Sequence, residues 1–229
     1  MAASFDPDLL EKIADATGDE ARAKHHDPAW GGPDGPRVSL AYYTPVINIL
    51  RDPRWGRGQE TYGEDPYLTS VLGAAFVRGL QGPHPRFLKA AACAKHLAVH
   101  SGPECLRTRF NAEVSEKDLA ETYLPAFRAL SEAGVAMVMA TYNRVNGEHC
   151  CASPTLIGKY LRGRFGFDGM VTSDGGALGS LHGSHKITAD AVETAGLCLR
   201  NGCDQEIGQN AYPYAADAID RGLITEAAL

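Results

Sequence analysis

The chain has 229 residues, 44% hydrophobic and 22% charged, the balance of a folded globular protein and not of a disordered one. Lys and Arg number 22 against 28 Asp and Glu, a formal charge of -6, which lacks the basic footprint a nucleic-acid binder needs. No apolar run reaches the roughly 18 residues of a membrane span.

Ser4 or Asp6 can cap a first helix with Pro7 in its first turn, and Leu9, Leu10, Ile13, Thr17 and Ala21 recur at helical spacing, so residues 6–24 read as an amphipathic helix. The stretch 25–39 carries the punctuators Gly31-Gly32-Pro33-Asp34-Gly35-Pro36 and reads as a loop. Residues 43–50 are rich in β-branched types and predict a strand, 51–63 a polar loop, and Glu64-Asp65-Pro66 the start of a helix to Gly79. The pattern repeats: a strand at 90–99, a helix from a Ser115/Asp118 capping box to Glu132, a strand at 134–142, and a helix from Ser153-Pro154 to Arg162. A strand at 170–173, a helix from Thr188 to Arg200, a strand end at Gly202-Cys203-Asp204 and a helix at 212–221 complete it.

Strand, loop and helix alternate, the signature of βα units around a parallel sheet, either a barrel or a doubly wound sheet. No GxGxxG precedes a helix, so a dinucleotide site is unsupported. Five strands fall short of the eight of a closed barrel, and the simplest account places a strand ahead of residue 1. Open edges in such an incomplete barrel invite association. The first residues contain no signal-peptide pattern, which alone reads as cytoplasmic and equally fits a piece of a longer protein.

The six cysteines contain no CxxC pair, Cys150 and Cys151 are adjacent, and buried free thiols are the expected state, with no zinc site. In parallel α/β folds the chemistry gathers at the carboxyl ends of strands. Four such ends carry polar groups: the Arg51–Arg57 run, Lys95-His96, Tyr142-Asn143 and Ser173-Asp174. Cations at 57 and 95 beside one carboxylate would hold it ionised, and an ionised, partly dehydrated carboxylate suits a nucleophile.

These motifs bring a resemblance. The run from Arg51 through Asp52-Pro53-Arg54-Trp55-Gly56-Arg57-Gly58-Gln59-Glu60-Thr61-Tyr62-Gly63-Glu64-Asp65-Pro66 to Leu68 resembles glycoside hydrolase family 3. So do Ala94-Lys95-His96, Met139-Ala140-Thr141-Tyr142-Asn143 and Val171-Thr172-Ser173-Asp174-Gly175-Gly176-Ala177. His100-Ser101-Gly102-Pro103-Glu104 and Glu121–Phe127 look most like the β-xylosidase branch. The resemblance implies a retaining β-glycosidase whose TIM-like (β/α) barrel is followed by a second α/β domain. Residues 1–229 would be a single, partial barrel domain without that second domain. By resemblance Asp174 is the nucleophile, and Arg57, Lys95 and His96 bind sugar hydroxyls. Tyr142 lies beneath the sugar, and Met139, Glu104 and Arg107 are pocket residues. The substrate would be an oligosaccharide or aryl glycoside, a terminal β-xyloside or β-glucoside met in hemicellulose breakdown. No metal or cofactor is implied, and members are often secreted or periplasmic.

This sequence departs from the family pattern in three ways. The acid/base Glu usually comes from the second domain. The residue after the nucleophile is usually Trp or Cys, and here it is Gly175; Gly202-Cys203-Asp204 stands where the family shows Gly-Thr-Asp. The competing reading is a sugar-binding module or truncated fragment without hydrolysis. Residue by residue, other roles compete: Asp174 as a helix cap, Lys95 as a Schiff-base lysine, His96 and His100 as zinc ligands at HxxxH spacing, Trp55 as a packing residue and not a sugar platform. Glu60, Glu64 and Asp65 read as loop-orienting or capping groups, Glu148 and Asp168 as surface turn residues, and Met137 and Met139 as core.

Overall fold

Asp6 opens the first helix. Its Oδ1 accepts the Leu9 N–H at 2.9 Å, Pro7 takes a position whose N–H has no partner anyway, and α1 spans Pro7–His26. Asp65 does the same for α2 (Pro66–Gln81), accepting from Leu68 at 2.6 Å. Ser115 accepts from the Asp118 N–H and Ser153 from the Leu156 N–H. After Ser115 a helical turn at Glu116–Asp118 widens into a π-helical stretch at Leu119–Tyr123 before α3 (Pro125–Glu132), because Pro125 has no N–H to continue a regular ladder. Pro154–Arg164 is π-helical throughout. The last helices are α4 (Ala191–Arg200) and α5 (Ala215–Asp220).

The computed structural model describes residues 1–32, 35, 36 and 38–228. Four strands form the main sheet: β1 (Ala41–Tyr42), β2 (Ala91–Leu97), β3 (Met137–Ala140) and β4 (Met170–Ser173). All pairs are parallel and the spatial order follows the sequence. A bridge from Thr172 to Gln205 extends the order by one more line of chain. An order without reversal has no switch point, so the helices stack on one face. That is the wall of a TIM-like barrel and not a doubly wound sheet. Among the described residues the wall is not closed.

The two faces differ as the two-residue alternation of a strand requires. Ala92, Ala94, Val138, Ala140 and Val171 face the helices and are small, so Leu72, Phe76, Phe127 and Leu130 pack tightly over them. Cys93, Met137 and Met139 form a separate cluster on the other face. Gln81, at the end of α2, binds the starts of two strands: its Oε1 accepts from Ala92 and Ala136, and its Nε2 donates to Gly134 O.

Several expectations need correction. The strand expected at 43–50 is regular only at Ala41–Tyr42, because Pro45 cannot donate. Its line still bonds to β2 through Thr44 O, Pro45 O and the Ile47 N–H. The helix expected from Thr188 starts at Ala191, capped by Asp190, whose Oδ1 accepts from Glu193, while Thr188 Oγ1 bonds to Thr194 instead. In the expected loop 25–39, α1 continues to His26, a turn follows at Pro28–Trp30, and Gly31–Gly32 pairs with Gly35–Pro36. Pro33, Asp34 and Arg37 of that loop lie outside the described residues. Glu148 is half-buried and not a surface turn residue, accepting from Ser153 Oγ and from both the N–H and hydroxyl of Thr155. All six cysteines are free and five are buried, but Cys105 is exposed. No described helix is long and apolar enough to cross a membrane.

Candidate active site

The register of β2 against β3 creates the first feature of the site. Lys95 faces Met139 and Leu97 faces Ala140, so β2 fits one extra residue, His96, into that step. A bulge re-aims a side chain and leaves backbone groups unpaired. Asn48 takes up those groups: its Nδ2 donates to His96 O at 2.7 Å, and its Oδ1 accepts the His96 N–H at 2.9 Å. The same Oδ1 lies 3.0 Å from His96 Nδ1. An amide oxygen only accepts, so Nδ1 carries the ring proton and Nε2 is a bare lone pair.

That lone pair faces Asp174. His96 Nε2 is 3.6 Å from Asp174 Oδ2, and the His96 side chain is 1% exposed. Burial, then the neighbouring His100 and Arg57, hold the His96 pKa well below the usual range. The contact is therefore two acceptors side by side and not an ion pair, and it is suited to a hydroxyl donor placed between them. Nε2 has no partner of its own among the described residues.

Asp174 follows β4. Its N–H donates to Ala140 O at 2.7 Å, and its Oδ1 accepts the Gly175 N–H at 2.7 Å. Arg57 stands in the loop after β1 and is gripped by Glu60 through two hydrogen bonds, Nε to Oε1 at 2.8 Å and a second guanidinium nitrogen to Oε2 at 2.7 Å. The pairing raises the Arg57 pKa and lowers that of Glu60; the Asp174 charge adds to the rise at Arg57. Lys95 is pulled below the usual lysine range, first by burial and then by Arg57, with Asp174 and Glu60 opposing. Tyr142 donates to Gly175 O at 2.8 Å, and burial together with Asp174 pushes its phenol up to about 12. Arg57, Lys95, His96, Tyr142 and Asp174 thus share one electrostatic neighbourhood at the carboxyl ends of the strands.

The remaining expected residues sit around it. Glu104 and Arg107 are hydrogen-bonded to each other, and Glu104 lies against Gly56, where a Cβ would come within 2.9 Å of its Oε2. The Arg107 charge reaches His96, His100 and Glu60. Met139 is 2% exposed and packs with Cys93 and Met137, so it is a core residue beneath the site. Trp55, 4% exposed, meets His100 edge to face at 5.9 Å, so it packs and offers no open platform. Asp174 caps no helix, since the short helix Gly179–His182 begins later with no side-chain cap. His96 and His100 stand with ring centroids 4.6 Å apart, but no group of three or more His, Cys, Asp or Glu among the described residues could hold a metal. Glu60 and Asp65 orient the loop and cap α2. A groove lined by Glu11, Lys12, Asp15 and Arg78 lies at the end of α2, away from the Asp174 site; Glu11 pairs with Arg78, and Asp15 with Lys89.

Asn48 carries no motif that marks it in the sequence. A polar residue inside Val46-Ile47-Asn48-Ile49 was the only signal, and its partner is 48 positions away.

The profile of the glycosyl hydrolase family 3 N-terminal domain matches residues 1–229. A protein of Xylanibacter ruminicola named xylan 1,4-β-xylosidase is 47% identical over 232 residues, covering 99% of this chain and 27% of its own length. A solved GH3 exo-β-xylosidase in complex with a xylobiose aziridine activity-based probe superposes with a TM-score of 0.90 at 30% identity, over 99% of this chain and 29% of that one. A β-glucosidase from Listeria innocua in complex with glucose gives a TM-score of 0.85 at 30% identity, over 99% of this chain and 30% of that one. The chain spans less than a third of the length of these relatives. Matched along its full length, the chain belongs to glycosyl hydrolase family 3.

Proposed function

We propose that this chain supplies the nucleophile side of a retaining β-glycosidase that cleaves terminal β-xylosides or β-glucosides. The observation that carries the reading is Asp174 at the end of β4, with His96 Nε2 3.6 Å from its Oδ2 and the Arg57 and Lys95 charges acting on it. Asp174 attacks the anomeric carbon, and the glycosidic bond breaks as the glycosyl–enzyme bond forms, the leaving oxygen taking a proton from a second carboxyl group that then takes one back from the attacking water. Water then releases the sugar with its configuration retained. The transition state carries oxocarbenium character, which an adjacent carboxylate stabilises. Neutral sugars offer only hydroxyls, so charged donors such as Arg57 and Lys95 give the stronger hydrogen bonds. His96 Nε2 accepts from a hydroxyl, since it has no proton to give. Tyr142 lies beneath the sugar, and Glu104 and Arg107 border the pocket.

Retention needs a second carboxyl group about 5 to 5.5 Å from the first. By resemblance to the family the acid/base group is proposed to come from a second domain, residues 1–229 being one barrel domain; Glu60 is committed to Arg57. The match to relatives named xylosidase favours xylosides.

Incubation of the intact protein with a 2-fluoro-β-xyloside, followed by peptide mass spectrometry, tests the assignment. The expected adduct is on Asp174, and Asp174→Asn abolishes it and lowers turnover on the order of 10³-fold or more. An adduct on any other residue overturns the reading.

A further inference from the structure

Two histidines stand behind Tyr142 and the Asp174 turn. His185, half-buried, follows the helix Gly179–His182, and its Nε2 lies 2.8 Å from the Tyr142 carbonyl. A carbonyl only accepts, so Nε2 carries the proton and donates. Nδ1 is then bare, and it is buried with no partner among the described residues. His149, 2% exposed, lies in the short strand Glu148–His149 beyond β3. Its Nδ1 accepts the Cys151 N–H at 3.2 Å, so its proton too sits on Nε2, 2.8 Å from Ser180 Oγ. The Ser180 hydroxyl donates to Ala177 O at 2.6 Å, which leaves its oxygen to accept from His149. The rings meet edge to face with centroids 5.0 Å apart. Burial disfavours the charged form of both rings, lowering His149 to about 3 and His185 below its usual range.

Both hydrogen-bond chains end on Asp174. In one, His185 donates to the Tyr142 carbonyl, the Tyr142 phenol donates to Gly175 O, and the Gly175 N–H donates to Asp174 Oδ1. In the other, His149 donates to Ser180, Ser180 donates to Ala177 O, and the Ala177 N–H donates to Asp174 O at 3.0 Å. A glycine pair follows Asp174, and glycine imposes little order of its own. The turn's geometry must come from its partners.

We infer that His185 is a positioning residue that holds Tyr142, and through it the Asp174 carboxylate, with His149 bracing the same turn from behind. The inference rests on Asp174 being the nucleophile. A misplacement of about 1 Å at a reacting group costs roughly 100-fold in rate, so a tether two residues removed from the chemistry acts on kcat more than on KM.

The test uses the intact protein and an aryl β-xyloside. His185→Ala lowers kcat roughly 10- to 100-fold with KM changed less than about threefold. His185→Gln, whose terminal amide sets a donor near the place of Nε2, recovers most of the loss. In a Tyr142→Phe background His185→Ala adds little, because the tether acts through Tyr142. Unchanged kcat in His185→Ala, losses that multiply in the double variant, or a kcat loss that follows a lowered Tm with no recovery in His185→Gln each overturn the positioning role. ¹⁵N-histidine NMR of the wild type reads the tether without substrate: both rings are neutral and protonated at Nε2. Charged or Nδ1-protonated rings overturn the tether whatever the activity. A wild type inert to aryl xyloside and aryl glucoside, yet with these tautomers, defeats the nucleophile reading and the positioning role while leaving the hydrogen bonds in place.

Discussion

Asn48 holds His96 at three points, the N–H, the carbonyl and Nδ1. Each of these groups is buried where water cannot replace the amide, and an unmatched buried polar group costs about 1–3 kcal/mol. Asn48→Ala is therefore expected to lower unfolding free energy by about 2–4 kcal/mol, allowing for partial relaxation. Urea unfolding measures it, and a loss under about 1 kcal/mol would show that the bulge holds itself. The same amide fixes which ring nitrogen of His96 is bare, so it sets both stability and the acceptor presented beside Asp174. Lys95, His96, Tyr142 and Asp174 were legible as candidates because each sits at a strand end in a recognisable motif. Asn48, His149 and His185 were not, because their partners are 31 to 48 residues away.

At the scale of elements, local signals held where the side chain and its target were close in sequence. Asp6, Asp65, Ser115 and Ser153 each accept from an N–H three residues on, and each marks a helix start in the structure. Thr188 and Asp190 are both good caps by type, and tertiary contacts chose between them. Asp190 also pairs with Arg221 at 2.7 Å, while Thr188 turns to Thr194. The crossing of α1 over α2 was invisible in the sequence. A Cβ on Gly79 would lie 2.2 Å from Glu11 O and 2.8 Å from Ala14 Cβ, and one on Gly18 would lie 2.8 Å from Leu80 O. Alanine would gain about 1 kcal/mol of helix propensity at Gly79. It would also drive two helix backbones apart, and overpacking of that kind costs about 1–3 kcal/mol, with the upper end expected where backbone cannot yield. Gly79→Ala is therefore expected to destabilise, as a lowered Tm in calorimetry. A raised Tm would mean that the helices separate freely.

At the scale of the whole molecule, buried neutral histidines link stability to pH. Burial lowers His100 to about 4 and His149 to about 3, against a usual 6.5. Below pH 6.5 the unfolded chain binds protons that these folded sites refuse, so stability is complete above that pH and falls as acid is added. At pH 5 each histidine costs about 2 kcal/mol relative to pH 7. Urea midpoints at the two pH values are expected to show the fall, and His149→Gln to shrink it by about one histidine's share. An unchanged difference in that variant would show that His149 takes up its proton in the folded state.

The sequence by itself determined the alternation of strands and helices, the helix starts and the strand-end motifs, because caps, periodicity and motif spacing act over a few residues. The barrel was implied by the resemblance of those motifs, whereas only the tertiary structure decided that β2 bulges at His96, that Asn48 holds the bulge, and that His149 and His185 are hydrogen-bonded to Ser180 and to the Tyr142 carbonyl. Those outcomes depend on strand register and on contacts between residues far apart in the chain. Burial at such contacts raises the cost of an unpaired group enough to select one arrangement.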